Sequence, residues 1–114
     1  MIYSESLKKN ADFQKVYRGR KSFANRSLVM YVMKNDLQKN RIGISVSKKV
    51  GNSIIRHRLT RLVREAYRLN ETSFLRGYDV VVVARVNAKG SEYKEIESSL
   101  LHLGRLHHIA ENPL

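Results

Sequence analysis

Apolar and polar residues alternate with a period of two between positions 41 and 47. In an extended strand this alternation creates two faces, one with Ile42, Ile44 and Val46 and the other with Gly43, Ser45 and Ser47. The first face predicts packing against a core, whereas the second is small and polar. A small polar face either lies under water or lets the backbone of a ligand approach closely, and the alternation alone favours neither.

Three further segments have the pattern of strands. A short strand is predicted at 22–24 and a longer one at 28–33, which the polar turn at 34–36 separates from the strand at 41–47. The run 78–84 is apolar on both faces, which is typical of a central strand covered from both sides.

The intervening segments have the spacing of three helices. Asn10 is a suitable N-cap for the first helix, which ends at Gly19 and carries Phe13, Val16 and Tyr17 on one face. Asn52 is expected to cap a long second helix that runs to about residue 70, and the third helix is predicted at about 91–108.

The order of elements is therefore α-β-β-β-α-β-α. It predicts an α+β fold in which helices cover a mixed four-stranded sheet. A chain of 114 residues with 42% hydrophobic content fits one core, so residues 1–114 are expected to form a single domain.

The second helix has two chemically distinct faces. At about 100° per residue, one side gathers Ile55, Leu59, Leu62, Val63 and Ala66, and the opposite side gathers His57, Thr60, Arg61, Arg64 and Arg68. Arg56 and Arg58 lie at the margins of the basic side. Like charges one turn apart repel by a few tenths of a kcal/mol per pair, and a phosphate backbone would remove that cost. The guanidinium fork also binds phosphate in a bidentate manner, so this face predicts a nucleic-acid contact, with a merely solvated basic helix as the alternative.

The charge of the whole chain supports a polyanionic partner. There are 22 basic and 10 acidic residues, which gives a formal charge of +12. The excess is concentrated in residues 41–68, which hold 8 basic residues against 1 acidic residue, whereas residues 69–114 hold 5 against 6. A membrane surface would also attract this charge, but the apolar helix face is needed for the core.

Several classes of protein are disfavoured by composition. The chain has no cysteine, which excludes disulfides, thiolate metal sites and a thiol nucleophile. It lacks a signal-peptide pattern, and its longest apolar run, 80–84, is too short to span a bilayer. We therefore expect a soluble, cytoplasmic protein.

The segment Ser45-Val-Ser-Lys-Lys-Val-Gly-Asn52, followed by Arg56-His-Arg58, Arg61 and Arg64, resembles the signature of the bacterial ribonuclease P protein subunit. The resemblance extends to 9–17, 22–26 and 81–85, and it covers most of the chain from about residue 7 to 107. In the family an asparagine stands where this chain has His57, and a lysine where it has Thr60. Both departures lie on the basic face.

This resemblance implies a protein that binds a catalytic RNA and assists the Mg²⁺-dependent removal of the 5′ leader from precursor tRNA. The endoribonuclease is then a ribonucleoprotein, with chemistry by the RNA and Mg²⁺ bound mainly by the RNA; no metal ligand in the protein is assigned. The partners implied are the catalytic RNA and precursor tRNA, with neither DNA, a membrane nor a stable protein partner. The RNA contacts carried over to this sequence are Lys48, Lys49, Asn52, Arg56, His57, Arg58, Arg61, Arg64 and Arg68.

A cleft between the first helix and the sheet is implied for the single-stranded leader. Aromatic stacking in a basic groove is the usual way to hold a single strand, and the residues expected here are Phe13, Tyr17, Ser22, Arg26 and Tyr31. Gly43 and Ser45 would form its floor. The alternative for Phe13 and Tyr17 is that they only anchor the helix to the core. The family also implies a left-handed crossover between the third and fourth predicted strands, against the usual rule.

Two other functions remain as alternatives. A protein-only nuclease would use histidines as acid and base, but three of the four, His102, His107 and His108, lie in the near-neutral last helix, and no carboxylate cluster suggests a magnesium site. A structural RNA-binding protein would share the basic helix without needing a leader cleft.

Overall fold

The computed structural model describes residues 1–111, so the end of the predicted domain, 112–114, lies outside the described residues. Five strands form one sheet: β1 (Ser4–Ser6), β2 (Ser22–Ala24), β3 (Leu28–Lys34), β4 (Asn40–Ser45) and β5 (Tyr78–Ala84). Their order across the sheet is β1-β4-β5-β3-β2. The sheet is mixed, because β4 pairs in parallel with both β1 and β5, whereas β3 pairs antiparallel with β5 and β2.

The α+β class and the mixed sheet are confirmed, but the prediction of four strands is wrong. The additional strand is β1, whose sequence Ser-Glu-Ser has no apolar alternation. It is held instead by parallel pairing with β4 and by Glu71, a buried carboxylate whose oxygens accept hydrogen bonds from the N–H groups of the two preceding residues, Ile2 (2.6 Å) and Tyr3 (3.2 Å). A strand stabilised in this way leaves no local signal in the sequence.

Three helices pack on the sheet: α1 (Asn10–Arg18), α2 (Ser53–Leu69) and α3 (Tyr93–Leu106). The Asn52 cap is confirmed, since its side chain accepts a hydrogen bond from the N–H of Ile55. The Asn10 cap is wrong, because the N-cap of α1 is Lys9 and no side chain caps the helix. The third helix begins two residues later than predicted, at a capping box formed by Glu92 and Glu95.

The two faces of the sheet are covered unequally. On one face α2 and α3 bury the larger core, which includes Met30, Leu59, Val82 and Leu100. On the other face α1 alone packs over a small cluster of Leu7, Val16 and Val81. β5 is covered from both sides, as its apolar sequence predicts. One face therefore retains open surface beside α1.

β4, α2 and β5 form a β-α-β unit with parallel neighbouring strands. The unit was predicted, and the left hand of its crossover stays a prediction. Because α2 follows β4 directly, the basic helix begins at the end of the sheet where β4 finishes. Within residues 1–111 no helix is both long and apolar enough to cross a membrane.

Candidate RNA interface

α2 presents the predicted basic face to solvent because its other face is fixed in the core. Leu59, Val63, Ala66 and Tyr67 are buried, and Ile55 and Leu62 pack beside them. The opposite side places His57, Arg58, Arg61, Arg64 and Arg68 at exposed positions, together with Lys48, Lys49 and Asn52 just before the helix. Arg56 and Thr60 are half-buried. The residues predicted to contact the catalytic RNA therefore lie along one helix and the turn that precedes it.

The arginines of this face differ in how far the protein itself engages them. Arg58 donates to the carbonyl oxygen of Ser91 (2.9 Å), which ties α2 to the segment before α3. Arg68 forms a two-point ion pair with Glu65 one turn earlier, and its hydrogen bonds lower the pKa of the Glu65 carboxyl. Arg61 and Arg64 have neither a hydrogen bond nor an ion pair to any other group of the described chain.

A shallow depression marks the centre of the basic face. It has a volume of about 370 Å³ and is lined by His57, Thr60, Arg61 and Arg64. The Thr60 hydroxyl donates to the carbonyl oxygen of Arg56 (2.9 Å), so it is used within the helix. His57 and Thr60, the two positions expected to depart from the family pattern, thus lie directly beside Arg61 and Arg64.

Arg56 is the least exposed arginine of the face. Its Nε is buried and has no hydrogen-bond partner among the described residues. A buried donor left unpaired costs about 1–3 kcal/mol, so the observed rotamer carries an energetic penalty that a new acceptor would relieve.

The aromatic residues predicted for the leader meet on the other face of the sheet. The ring centroids of Tyr17 and Tyr31 are 4.9 Å apart with a 79° interplanar angle, and those of Phe13 and Tyr17 are 6.4 Å apart. All three rings are half-buried. We call the surface formed by Phe13, Tyr17 and Tyr31 the aromatic groove.

The expectation that Gly43 forms an open floor is wrong. Gly43 is buried beneath Phe13, and a Cβ built on it would lie 2.5 Å from the Phe13 Cζ. Phe13 is thus packed against the backbone of β4, which supports the anchoring role that the sequence left open. The accessible floor is the next row across the sheet, in which Ser45, Val83 and Val29 are register partners and are half-buried. Val29 and Val83 were missed because apolar residues in strands were assigned to the core.

The remaining two leader residues are separated by the fold. Ser22 is exposed and pairs with Tyr31 across β2 and β3, so it borders the aromatic groove. Arg26 lies in the turn between those strands and lines a different depression with Lys89 and Ser91. The turn is held by Asn25, whose side chain accepts from the N–H of Leu28. Arg26 therefore does not face the aromatic pair directly.

The histidines are engaged separately from one another. His102 accepts a hydrogen bond from the amide of Asn25, and His107 donates from Nε2 to the carbonyl oxygen of Met30 (2.8 Å). His57 lies on α2, away from both. Within residues 1–111 no three His, Asp or Glu side chains come close enough to hold a metal ion.

Comparison with known proteins identifies the family. A family model described as Ribonuclease P matches residues 1–107. The ribonuclease P protein component of Lachnoclostridium phytofermentans is 59% identical over 106 residues, covering 93% of this chain and 91% of that protein. The corresponding protein of Alkaliphilus metalliredigens is 54% identical over 105 residues, covering 92% of this chain and 95% of that protein.

Solved structures agree with the sequence relatives. The RNase P protein of Staphylococcus aureus has a TM-score of 0.85 at 37% identity, covering 93% of this chain and 97% of that one. The RNase P protein from Thermotoga maritima has a TM-score of 0.80 at 30% identity, covering 88% and 96%. With its arginine-rich α2 and its mixed five-stranded sheet, this chain belongs to the family of bacterial ribonuclease P protein subunits.

Proposed function

We propose that this chain binds the catalytic RNA of ribonuclease P through α2 and holds the 5′ leader of precursor tRNA in the aromatic groove. The observation that carries the proposal is the pair Arg61 and Arg64, exposed side by side and without partners in the described chain. Two guanidinium groups held this way repel each other until an anion binds between them. Because the chain belongs to a family that works with a catalytic RNA, we expect this anion to be a phosphate of that RNA.

The other basic residues have graded roles in this proposal. Lys48, Lys49 and Asn52 extend the contact beyond the start of α2, with Lys48 and Lys49 as point charges for phosphate. Rotation of the Arg56 guanidinium toward a phosphate would remove the cost of its unpaired Nε. Arg58 and Arg68 keep their contacts to Ser91 and Glu65, and each offers its remaining N–H donors. His57 donates a hydrogen bond where the family has asparagine.

The aromatic groove would hold unpaired leader nucleotides by stacking. Tyr17 and Tyr31 supply the rings, Ser45 and Ser22 supply hydroxyl groups, and Arg18 and Lys15 lie exposed on α1 for the leader phosphates. Stacking tolerates any base, so this contact would increase affinity for the substrate with little preference for leader sequence. Phe13 would act mainly by holding α1 against Gly43.

The cleavage itself belongs to the RNA in this proposal. Mg²⁺ would be bound mainly by the RNA subunit and would activate the attacking water and stabilise the leaving oxygen. The residues of this chain would bind and position the two RNAs. A protein-only nuclease is disfavoured because His102 and His107 are committed to Asn25 and Met30, and His57 lies on α2 away from the other histidines. A purely structural RNA-binding role would not require the half-buried rings of the groove to remain accessible.

Reconstitution tests this function directly. The purified chain is mixed with a bacterial ribonuclease P RNA and a precursor tRNA at a Mg²⁺ concentration too low for the RNA alone. We expect cleavage at the mature 5′ end when both components are present, and none with the protein alone. Cleavage by the protein without RNA, abolished by changing a histidine, would establish the nuclease alternative instead.

A further inference from the structure

A second pocket lies on the face of the sheet opposite the aromatic groove, where the end of α3 meets β2. It has a volume of about 370 Å³, and its walls include Arg20, Lys21, Phe23, Leu106, His107 and His108. No acidic residue is among those that line it within the described chain. Ser22 also lines this pocket and borders the aromatic groove, whereas the function proposed above uses none of the other lining residues.

Phe23 gives this pocket an aromatic surface. Its side chain is 45% exposed, although it lies on a strand and pairs in register with the fully buried Met30. The ring contacts His107 in an edge-to-face arrangement, with centroids 4.8 Å apart at 72°. A single exposed apolar side chain is common on protein surfaces, but this ring stands in a pocket beside basic side chains and His107.

A helix ends on each side of the pocket, and the chain turns sharply at both ends. Arg20 has a φ of 57° and His108 a φ of 60°, in the left-handed region that non-glycine residues seldom occupy. At His108 this conformation ends α3 in a Schellman motif, in which the N–H of Ile109 donates to the Gly104 carbonyl and the N–H of His108 donates to the Arg105 carbonyl. Arg20 follows Gly19, the C-cap of α1. These two positions bring positive or protonatable side chains to the rim beside Lys21.

His107 contributes a defined hydrogen-bonding group. Because its Nε2 donates to the Met30 carbonyl, a neutral ring has its lone pair at Nδ1. Burial lowers the pKa of His107, although the bond to Met30 opposes that shift, and the net decrease favours the neutral ring. Nδ1 is then an acceptor of the kind that the exocyclic amino group of adenine or cytosine can use.

We propose that this pocket binds one unpaired RNA nucleotide, with its base against Phe23 and its phosphate between Arg20 and Lys21. An exposed ring beside basic side chains is the combination that holds single-stranded nucleic acid. The inference rests on the proposed function, because it requires RNA at this end of the protein. It also explains β2: Ser22 borders the aromatic groove while Phe23 faces the pocket, so a strand leaving the groove reaches the pocket by crossing one three-residue edge strand.

Two sources could supply such a nucleotide. One is the leader of precursor tRNA beyond the nucleotides in the aromatic groove, and the other is an unpaired position in the catalytic RNA. The pocket would recognise a nucleotide from either RNA by the same contacts, so an experiment must distinguish the leader from the catalytic RNA.

The first experiment uses pentaadenylate as the probe and amide NMR spectra of the full chain as the readout. We expect the amides of Lys21, Phe23 and His108 to shift on titration, in addition to those of α2. Loss of one base stack is worth about 1 kcal/mol, so Phe23→Ala should weaken the dissociation constant from the pocket amides about fivefold or more. Lys21→Gln should weaken it as well. Leu37→Ala, which truncates a side chain of similar exposure (42%) in the β3–β4 turn, should leave it unchanged.

The outcomes separate this inference from the proposed function. Shifts at α2 with none at the pocket would overturn the inference and leave the RNA face of α2 standing. Shifts at neither place would overturn both. Because more than half of Phe23 is covered and it packs at the edge of the core, Phe23→Leu serves as a second variant that keeps the apolar cover, and it should lose the same affinity.

The second experiment uses the assembled ribonucleoprotein to identify the source. If Phe23→Ala weakens binding of precursor tRNA with long leaders and spares short leaders, the nucleotide belongs to the leader. If it weakens binding of the protein to the catalytic RNA itself, the nucleotide belongs to that RNA. Unchanged affinity in both measurements would overturn the inference for the working enzyme.

Discussion

The sharpest test of the basic face is to remove Arg61 and Arg64 together by changing both to alanine. Both side chains are exposed and neither has a partner in residues 1–111, so their loss breaks no contact within the described protein. Alanine also has a higher helix propensity than arginine, and the repulsion between the two charges disappears. We therefore expect the thermal stability of the double variant to equal or slightly exceed that of the unchanged protein.

The expected change in binding can be worked out from the number of phosphate contacts. Each lost contact lowers the slope of log affinity against log salt by roughly 0.7 to 0.9. Two contacts therefore lower it by about 1.4 to 1.8. Between 50 and 200 mM salt, a fourfold range, the ratio of the two proteins' affinities should change by about tenfold. The loss of affinity of the double variant, relative to the unchanged protein, should be largest at low salt.

The assay is a filter-binding or fluorescence titration of the catalytic RNA at several salt concentrations. The matched control is the double variant Lys34→Ala and Lys94→Ala, which removes the same charge from exposed positions on β3 and α3. The control should change the slope little, because a slope reports phosphates contacted rather than net charge alone. An unchanged slope for the folded Arg61 and Arg64 variant, or an equal loss in the control, would refute the assignment of this face.

Three further predictions concern the groove and the frame that supports it. Tyr17→Ala should weaken binding of precursor tRNA with a long leader by about 1 kcal/mol or more and leave mature tRNA unaffected; a loss independent of leader length in a folded protein would remove Tyr17 from the leader contact. Gly43→Ala places a methyl group within 2.5 Å of the Phe13 ring, so it should lower the free energy of unfolding by about 1–3 kcal/mol in urea melts, and Phe13→Leu should relieve part of that cost if the clash is the cause. Burial raises the pKa of Glu71, but the hydrogen bonds it accepts, including those from the N–H groups of Ile2 and Tyr3, lower the pKa by more than burial raises it. The net effect is a decrease. The stabilising effect of the Glu71 carboxylate is therefore complete above its pKa in the unfolded chain and is lost as the pH falls through its lower pKa in the folded protein. Glu71→Gln should be less stable than the unchanged protein at pH 7 by about 1–3 kcal/mol. Urea melts that showed the same difference in stability at pH 3 would contradict this pH dependence.

Comparison of prediction and structure shows which parts of the site depend on local sequence. The basic face of α2 was predicted residue by residue, because helical periodicity separates the two sides and the Asn52 cap needs only the N–H of Ile55. Periodicity could not distinguish the arginines that form hydrogen bonds or ion pairs within the described chain from those that form none. Arg58 reaches Ser91, a residue 33 positions away, and only the packing of α2 on α3 brings the two together.

The same distinction holds for the fold. By itself the sequence determined the three helices and the strands β2 to β5, since each depends on residues a few positions apart. Tertiary structure alone decided that Ser4–Ser6 is a strand, because it pairs with β4, and Glu71, about 70 residues away, anchors the two residues before it. It also decided that Gly43 lies under Phe13 and that Phe23 faces a pocket rather than the core. Local patterns indicate whether a residue faces the core or the solvent. The residues that it contacts on that side depend on long-range packing, which no local periodicity encodes.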